Sequence, residues 1–176
     1  MIGDVVEELA KAEIGATFNF YRDGPCANLR RRRLREYLRS RAEAPFLLVG
    51  EAPGYRGARV SGIPFTSERQ LTGNGPAEAT ATVVHRVLAE LGAEADVLLW
   101  NVVPTHPHQA GEPRSNRPPT RAEVSVARPV LEAVVRGRRV IAVGRLAEAV
   151  LGTPGVRHPA HGGARAFREG LVQLLA

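Results

Sequence analysis

Three short apolar runs, each stopping at a glycine or an asparagine, constrain this chain more than any other feature. Phe46-Leu47-Leu48-Val49 stops at Gly50, the run from Asp96 to Trp100 at Asn101, and the run from Arg139 to Val143 at Gly144. Each is too short for a core helix and dense enough for a strand covered on both faces. Between them lie helical patterns. One runs from Ala77 to Leu91 and closes at Gly92; another opens at Thr120, with Glu123 completing a capping box. Strands alternating with helices predict an α/β fold, an open and mainly parallel sheet covered by helices. Ligands bind such sheets outside the carboxyl ends of the strands, which makes 50–65, 101–116 and 158–163 the candidate site loops.

Val5, Val6, Leu9 and Ile14 predict a short amphipathic helix over 3–13, followed by a loop over 15–28. A second helix over 30–41 would turn Leu34, Tyr37 and Leu38 inward and most of its arginines outward. Long loops are expected over 51–76, with a turn at Asn74-Gly75-Pro76, and over 101–119. Pro129 is expected to bend or divide the helix that Thr120 opens. Helices over 145–151 and 164–175, separated by a loop, complete the chain. The 18 Gly and 13 Pro in 176 residues suit so much turn and loop. The expectation is a single domain over 1–176, with 1–41 as a helical leader packed on it.

The net charge of +6 is unevenly placed: residues 30–41 carry +6 and residues 101–176 another +6, while 1–29 and 42–100 each carry −3. Such clusters attract phosphate, and arginine matches phosphate oxygens with a planar fork. Cys26 is the sole cysteine, which excludes an intrachain disulfide and a four-cysteine metal or iron–sulfur site. No apolar run is long enough to span a membrane, and the first residues are acidic where a signal peptide is basic. A cytoplasmic protein with no membrane partner is therefore expected.

The loops offer side chains with two readings each. Glu51, directly after the first strand and beside Pro53, either positions water and a developing positive charge or bonds nearby backbone. Phe65, in Gly62-Ile63-Pro64-Phe65, either stacks on a planar base or fills the core. Asn101 either reads the edge of a heterocycle with its amide or forms a turn. His158, in His158-Pro159-Ala160-His161-Gly162-Gly163, either donates to a departing anionic base or closes a turn. The two glycines allow close approach to a phosphate backbone. His106, His108, His158 and His161 show no recognised zinc spacing, and no metal is expected.

Taken together, Gly50-Glu51-Ala52-Pro53-Gly54, Gly62-Ile63-Pro64-Phe65, Asn101 after a hydrophobic strand, and His158-Pro159-Ala160 before Gly162-Gly163 resemble the motifs of the uracil-DNA glycosylase superfamily. The resemblance is nearest to the family 4-like bacterial and archaeal enzymes, although their four iron–sulfur cysteines are missing. It implies a three-layer α/β/α sandwich, no cofactor, and a monomer acting on DNA that contains uracil or a related damaged base. It also implies that Glu51 acts on the water or the sugar cation, Phe65 stacks on uracil, Asn101 reads its edge and His158 steadies its O2. Gly50, Ala52, Pro53 and Tyr55 would complete the base pocket, Tyr55 excluding a thymine methyl. Gly162, Gly163 and Arg165 would lie against the DNA backbone. The implied product is an abasic site without strand cleavage, since Lys11 is the sole lysine and lies outside the motifs. Hypoxanthine, xanthine or mismatched thymine as the base, or DNA binding with little catalysis, are the competing expectations. Glu51 is the one acid expected in the first motif, with Glu68 more distant.

Overall fold

In a computed structural model, residues 2–175 are described, with side chains from Val5 onward. The helix expected over 3–13 runs Ile2–Lys11 (α1), and the arginine helix (α2) starts earlier than expected, Ala27–Ser40. The three expected strands are Phe46–Gly50 (β2), Val97–Asn101 (β3) and Arg139–Val143 (β5). A fourth, Gly155–Val156 (β6), falls where sequence alone suggested only loop. The order is β3-β2-β5-β6 and every pairing is parallel. Two residues carry no readable periodicity, which is why β6 escapes sequence analysis.

Alternation along the strands divides the core between two faces. Leu47, Val49, Leu98, Trp100 and Ala142 face α1, α2, the helix Arg121–Val135 (α6) and the helix Arg145–Leu151 (α7). Leu48, Leu99, Ile141 and Val143 face the helices Ala79–Glu90 (α5) and Ala164–Leu175 (α8). The result is a three-layer α/β/α sandwich. β3 is an edge strand, and the Tyr37 hydroxyl accepts the outward N–H of Leu99 at 2.7 Å, covering part of that edge. No helix among the described residues is long and apolar enough to cross a membrane.

Several expectations need correction. The 51–76 loop contains two short helices, Ala58–Ser61 (α3) and Glu68–Thr72 (α4). A small antiparallel pair, Thr17–Phe18 (β1) with His106–Pro107 (β4), ties two segments expected to be loop. Pro129 does not divide α6, which is continuous from Arg121 to Val135. Its ring lies on the exposed side, and the buried stripe of Ala127, Val130, Leu131 and Val134 holds both halves on the sheet.

Nor do the α2 arginines simply face water. Arg30 donates to the carbonyls of Val60 and Phe20, and Arg33 to the carbonyl of Ser61 and both oxygens of Glu68. Arg31 donates to Tyr21 O and Asn28 Oδ1, and Arg35 pairs with Glu7. Four of the seven arginines in a run that reads as a phosphate-attracting surface are tertiary scaffolding. Glu68, the second acid expected near the first motif, belongs to that scaffold.

Candidate active site

Strand register brings the site together. Gly50 sits level with Asn101, and Val49 with Ala142. The residues that follow β2, β5 and β6 therefore emerge with Asn101 at one edge of the sheet. There they wall a cleft of about 920 Å³ lined by Glu51, Ala52, Pro53, Phe65, Asn101 and His158, among others. Four side chains separated by up to 107 positions in sequence meet at this one opening.

Phe65 is 8% exposed and holds φ at +52°, a left-handed conformation that raises a non-glycine residue by about 1–2 kcal/mol. The surroundings over-determine that turn. Ser61 Oγ contacts the carbonyls of Ile63 and Thr66 and accepts the Ile63 N–H; the Tyr21 hydroxyl donates to Gly62 O at 3.0 Å. Thr66 Oγ1 donates to Pro64 O, so it accepts from His85 Nε2 at 2.9 Å. Burial lowers the His85 pKa, and a neutral ring with its proton on Nε2 still makes this contact. Arg30 and Arg33 fasten the preceding carbonyls from α2.

Gly50 supplies space rather than a contact. A Cβ there would lie 2.2 Å from Phe65 Cζ and 3.1 Å from Asn101 Nδ2, so the ring and the amide occupy the volume a side chain would need. Gly50→Ala is accordingly expected to lower stability by about 1–3 kcal/mol in urea denaturation. In a Phe65→Ala background the same change should have little effect, because the ring that collides is gone.

Asn101 is 3% exposed and its buried Oδ1 has no hydrogen-bond partner among the described residues. A buried carbonyl oxygen left unpaired costs about 1–3 kcal/mol unless a ligand satisfies it. Asn101 closes β3 in register with Gly50 and lines the cleft wall, so it does not form a turn of its own.

Glu51 is half-buried, and burial pushes its carboxyl above the usual carboxylate range. Its backbone is anchored by Val103 N–H donating to Glu51 O at 3.1 Å. The next residues are held by His106, whose Nδ1–H donates to Pro53 O at 2.8 Å. His106 is fully buried and therefore acts as a clamp on the first motif.

His158 packs over Gly144, and its Nδ1 accepts the Ala160 N–H at 3.2 Å. In the neutral ring the proton then resides on Nε2. Burial, followed by the nearby His161, lowers its pKa, so the ring is neutral at neutral pH.

The remaining expected residues divide. Ala52 and Pro53 line the cleft. Tyr55 does not: its N–H donates to Asn116 Oδ1 at 3.0 Å and its ring lies under the Arg56 guanidinium. That backbone contact ties the first motif loop to a segment 61 residues away. Gly162 has φ +76° with open space around it, whereas Gly163 is required by the turn, since a Cβ would lie 2.1 Å from His158 O. Neither glycine lines the cleft, nor does Arg165, which is 89% exposed and paired with Glu169. Sequence reasoning missed Arg145, Arg157 and Glu78 on the cleft wall. The two arginines carry no ion pair among the described residues; only their position after β5 and β6 could have singled them out.

The single cysteine, Cys26, is exposed and cannot supply the four thiolates of an iron–sulfur cluster, so no step is assigned to such a group.

No curated protein matches this sequence. Among solved structures, the chain is similar to the crystal structure of wild-type Pedobacter heparinus SMUG2. The TM-score is 0.73 at 13% identity, covering 99% of this chain and 96% of that one. This likeness establishes the shared fold. The sequence profile of the Uracil DNA glycosylase superfamily matches residues 39–172, a span holding every strand of the central sheet and all four side chains that converge on the cleft. By that match, this chain belongs to the uracil-DNA glycosylase superfamily.

Proposed function

We propose that the protein is a monofunctional DNA glycosylase that flips uracil out of DNA and hydrolyses its N-glycosidic bond, leaving an abasic site. One observation carries the reading: Asn101, whose buried Oδ1 has no partner among the described residues, lines a cleft that also presents an aromatic ring, a carboxylate and an imidazole. An amide offers a donor and an acceptor side by side, which complements the adjacent carbonyl and N–H of uracil. Phe65 supplies a stacking face. Extrusion of the base takes a few kcal/mol, which these contacts offset.

As the bond breaks, its electron pair leaves with the base and positive charge gathers on the deoxyribose. Glu51 favours that charge and directs water at C1′. His158 donates from Nε2 to the base oxygen that gains negative charge, its orientation set by the Ala160 N–H at Nδ1. Arg145 and Arg157, free of acid partners among the described residues, are placed to hold phosphates beside the cleft. Gly162, Gly163 and Arg165 approach the backbone farther along the same loop and helix. No amine nucleophile stands near, since Lys11 is the sole lysine, so strand cleavage by the protein is not expected.

Within the superfamily we read the chain as nearest the family 4-like enzymes without their iron–sulfur ligands, and as a cytoplasmic monomer in a single domain.

Purified protein incubated with single- and double-stranded DNA carrying uracil, hypoxanthine, xanthine or mismatched thymine should release uracil fastest, read as alkali-labile sites. Faster release of hypoxanthine would move the substrate to another deaminated base. Absence of product from every lesion at high enzyme concentration would leave a DNA-binding protein.

A further inference from the structure

One carboxylate of the cleft has no part in the chemistry described so far. Glu78 stands at the N-cap position of α5, yet its side chain caps nothing. It forms no ion pair or side-chain hydrogen bond among the described residues. It turns away from its own helix and lies across the first motif loop. A Cβ on Gly57 would be 2.0 Å from Glu78 Oε2, and one on Gly54 would be 2.6 Å from Oε1. Those two glycines, three and six residues after Glu51, thus leave the room that the carboxylate occupies.

Glu78 lines the same cleft as Glu51, and burial raises the pKa of both. Both carboxylates are half-buried in the same cleft without a protein partner, a state that donors on a ligand or water in the cleft would relieve. The third acid of the cleft, Glu148, comes from α7, the helix that Arg145 opens. A second, independent sign of a ligand is the buried and unpartnered Asn101 Oδ1 on the same cleft.

We propose that Glu78 is a second catalytic carboxylate, accepting a hydrogen bond from the water that Glu51 directs at C1′. The inference rests on the base-release reading given above. The balance is that of a hydrolysis. The water oxygen forms the bond to C1′ as the C1′–N pair leaves with the base. The proton of the water passes to one of the two carboxylates and then to the base anion or solvent. With two acceptors, both water protons are directed and the lone pair is aimed. Gly54 and Gly57 are there to admit the second acceptor.

The test is single-turnover release of uracil by the full chain, with DNA affinity measured separately. Glu78→Gln, which is close to isosteric, is expected to lower the maximal rate about 10- to 100-fold while DNA affinity stays within about twofold. Gly57→Ala displaces the carboxylate by another route and should reproduce the rate loss. Glu51→Gln combined with Glu78→Gln should be little slower than Glu51→Gln alone, since both groups act on one water. Thermal melting of each variant separates a rate loss from unfolding, and Glu78→Asp, with the charge kept but shortened, should recover part of the rate.

A Glu78→Gln protein that releases uracil at the wild-type rate overturns the inference and leaves the glycosylase reading standing. So does a loss confined to DNA affinity, or a double variant slowed by the product of the single effects. A wild-type protein that releases no base overturns both.

Discussion

Glu51→Gln is expected to slow base release about 100-fold or more while leaving the folded structure in place. The side chain makes no ion pair or hydrogen bond among the described residues, so an amide of the same size removes charge and basicity without removing a structural contact. The pH dependence carries the sharper signature. Burial raises the Glu51 pKa from its ordinary 4.5. The carboxylate is the working form, so the rate should fall as the pH drops through that raised value. The limb therefore begins above the pH at which an exposed glutamate would protonate. Burial, then the nearby His161, holds His158 below the usual imidazole range, and it contributes its own change on the acid side. Glu51→Gln should abolish the glutamate limb and retain the histidine one. Single-turnover rates from about pH 4 to pH 8 on one uracil-containing strand separate the two. A Gln variant with wild-type rate and an unaltered acid limb would remove Glu51 from the mechanism.

Glu123→Ala is expected to destabilise the protein by about 3–5 kcal/mol, the largest stability effect of any change considered. Glu123 is 3% exposed at the side chain and Arg117 is 16% exposed. Arg117 Nη1 and Nη2 donate to its two carboxylate oxygens at 2.8 and 2.6 Å. The same carboxylate accepts the Thr120 N–H at 2.8 Å, while the Thr120 hydroxyl accepts the Glu123 N–H. Removing it strands a guanidinium and opens the N-terminus of α6.

Arg117 and the hydrogen bonds to it keep the Glu123 carboxyl below its usual range. A folded-state pKa that is depressed stabilises the protein above the unfolded value, and that stability is lost as the pH falls through the folded one. Urea denaturation at several pH values should accordingly show a steeper acid loss in the wild type than in the alanine variant. Equal midpoints at neutral pH would mean the pair contributes nothing. The effect should reach the cleft, since Arg117, Asn116 and Pro118 all line it.

Much of the fold was legible because its signals are local. Three strands, the capping box at Thr120 and the inward Leu34 and Leu38 each follow from side-chain spacing within a dozen residues. What escaped depends on partners distant in sequence. β6 has two residues and exists because β5 is beside it. The α2 arginines read as a solvated face, and only the approach of Val60, Ser61 and Glu68 turns them into anchors. In the site, Glu51 and Asn101 stood out at strand ends, and Phe65 and His158 beside prolines that restrain their turns. Glu78 and Tyr55 went the other way. No signal in the sequence marks Glu78, which only the tertiary structure brings to the cleft wall, whereas Tyr55 belongs to the motif but is not among the residues that line the cleft.

By itself, then, the sequence determined the layers, the strand ends and four of the side chains gathered at them, because apolar periodicity and motif order are properties of neighbouring residues. The tertiary structure alone decided which charges face inward, which nitrogen of His158 carries the proton and what holds Phe65 in its left-handed turn. Those outcomes depend on desolvation and on hydrogen bonds between segments that only folding brings within 3 Å of one another.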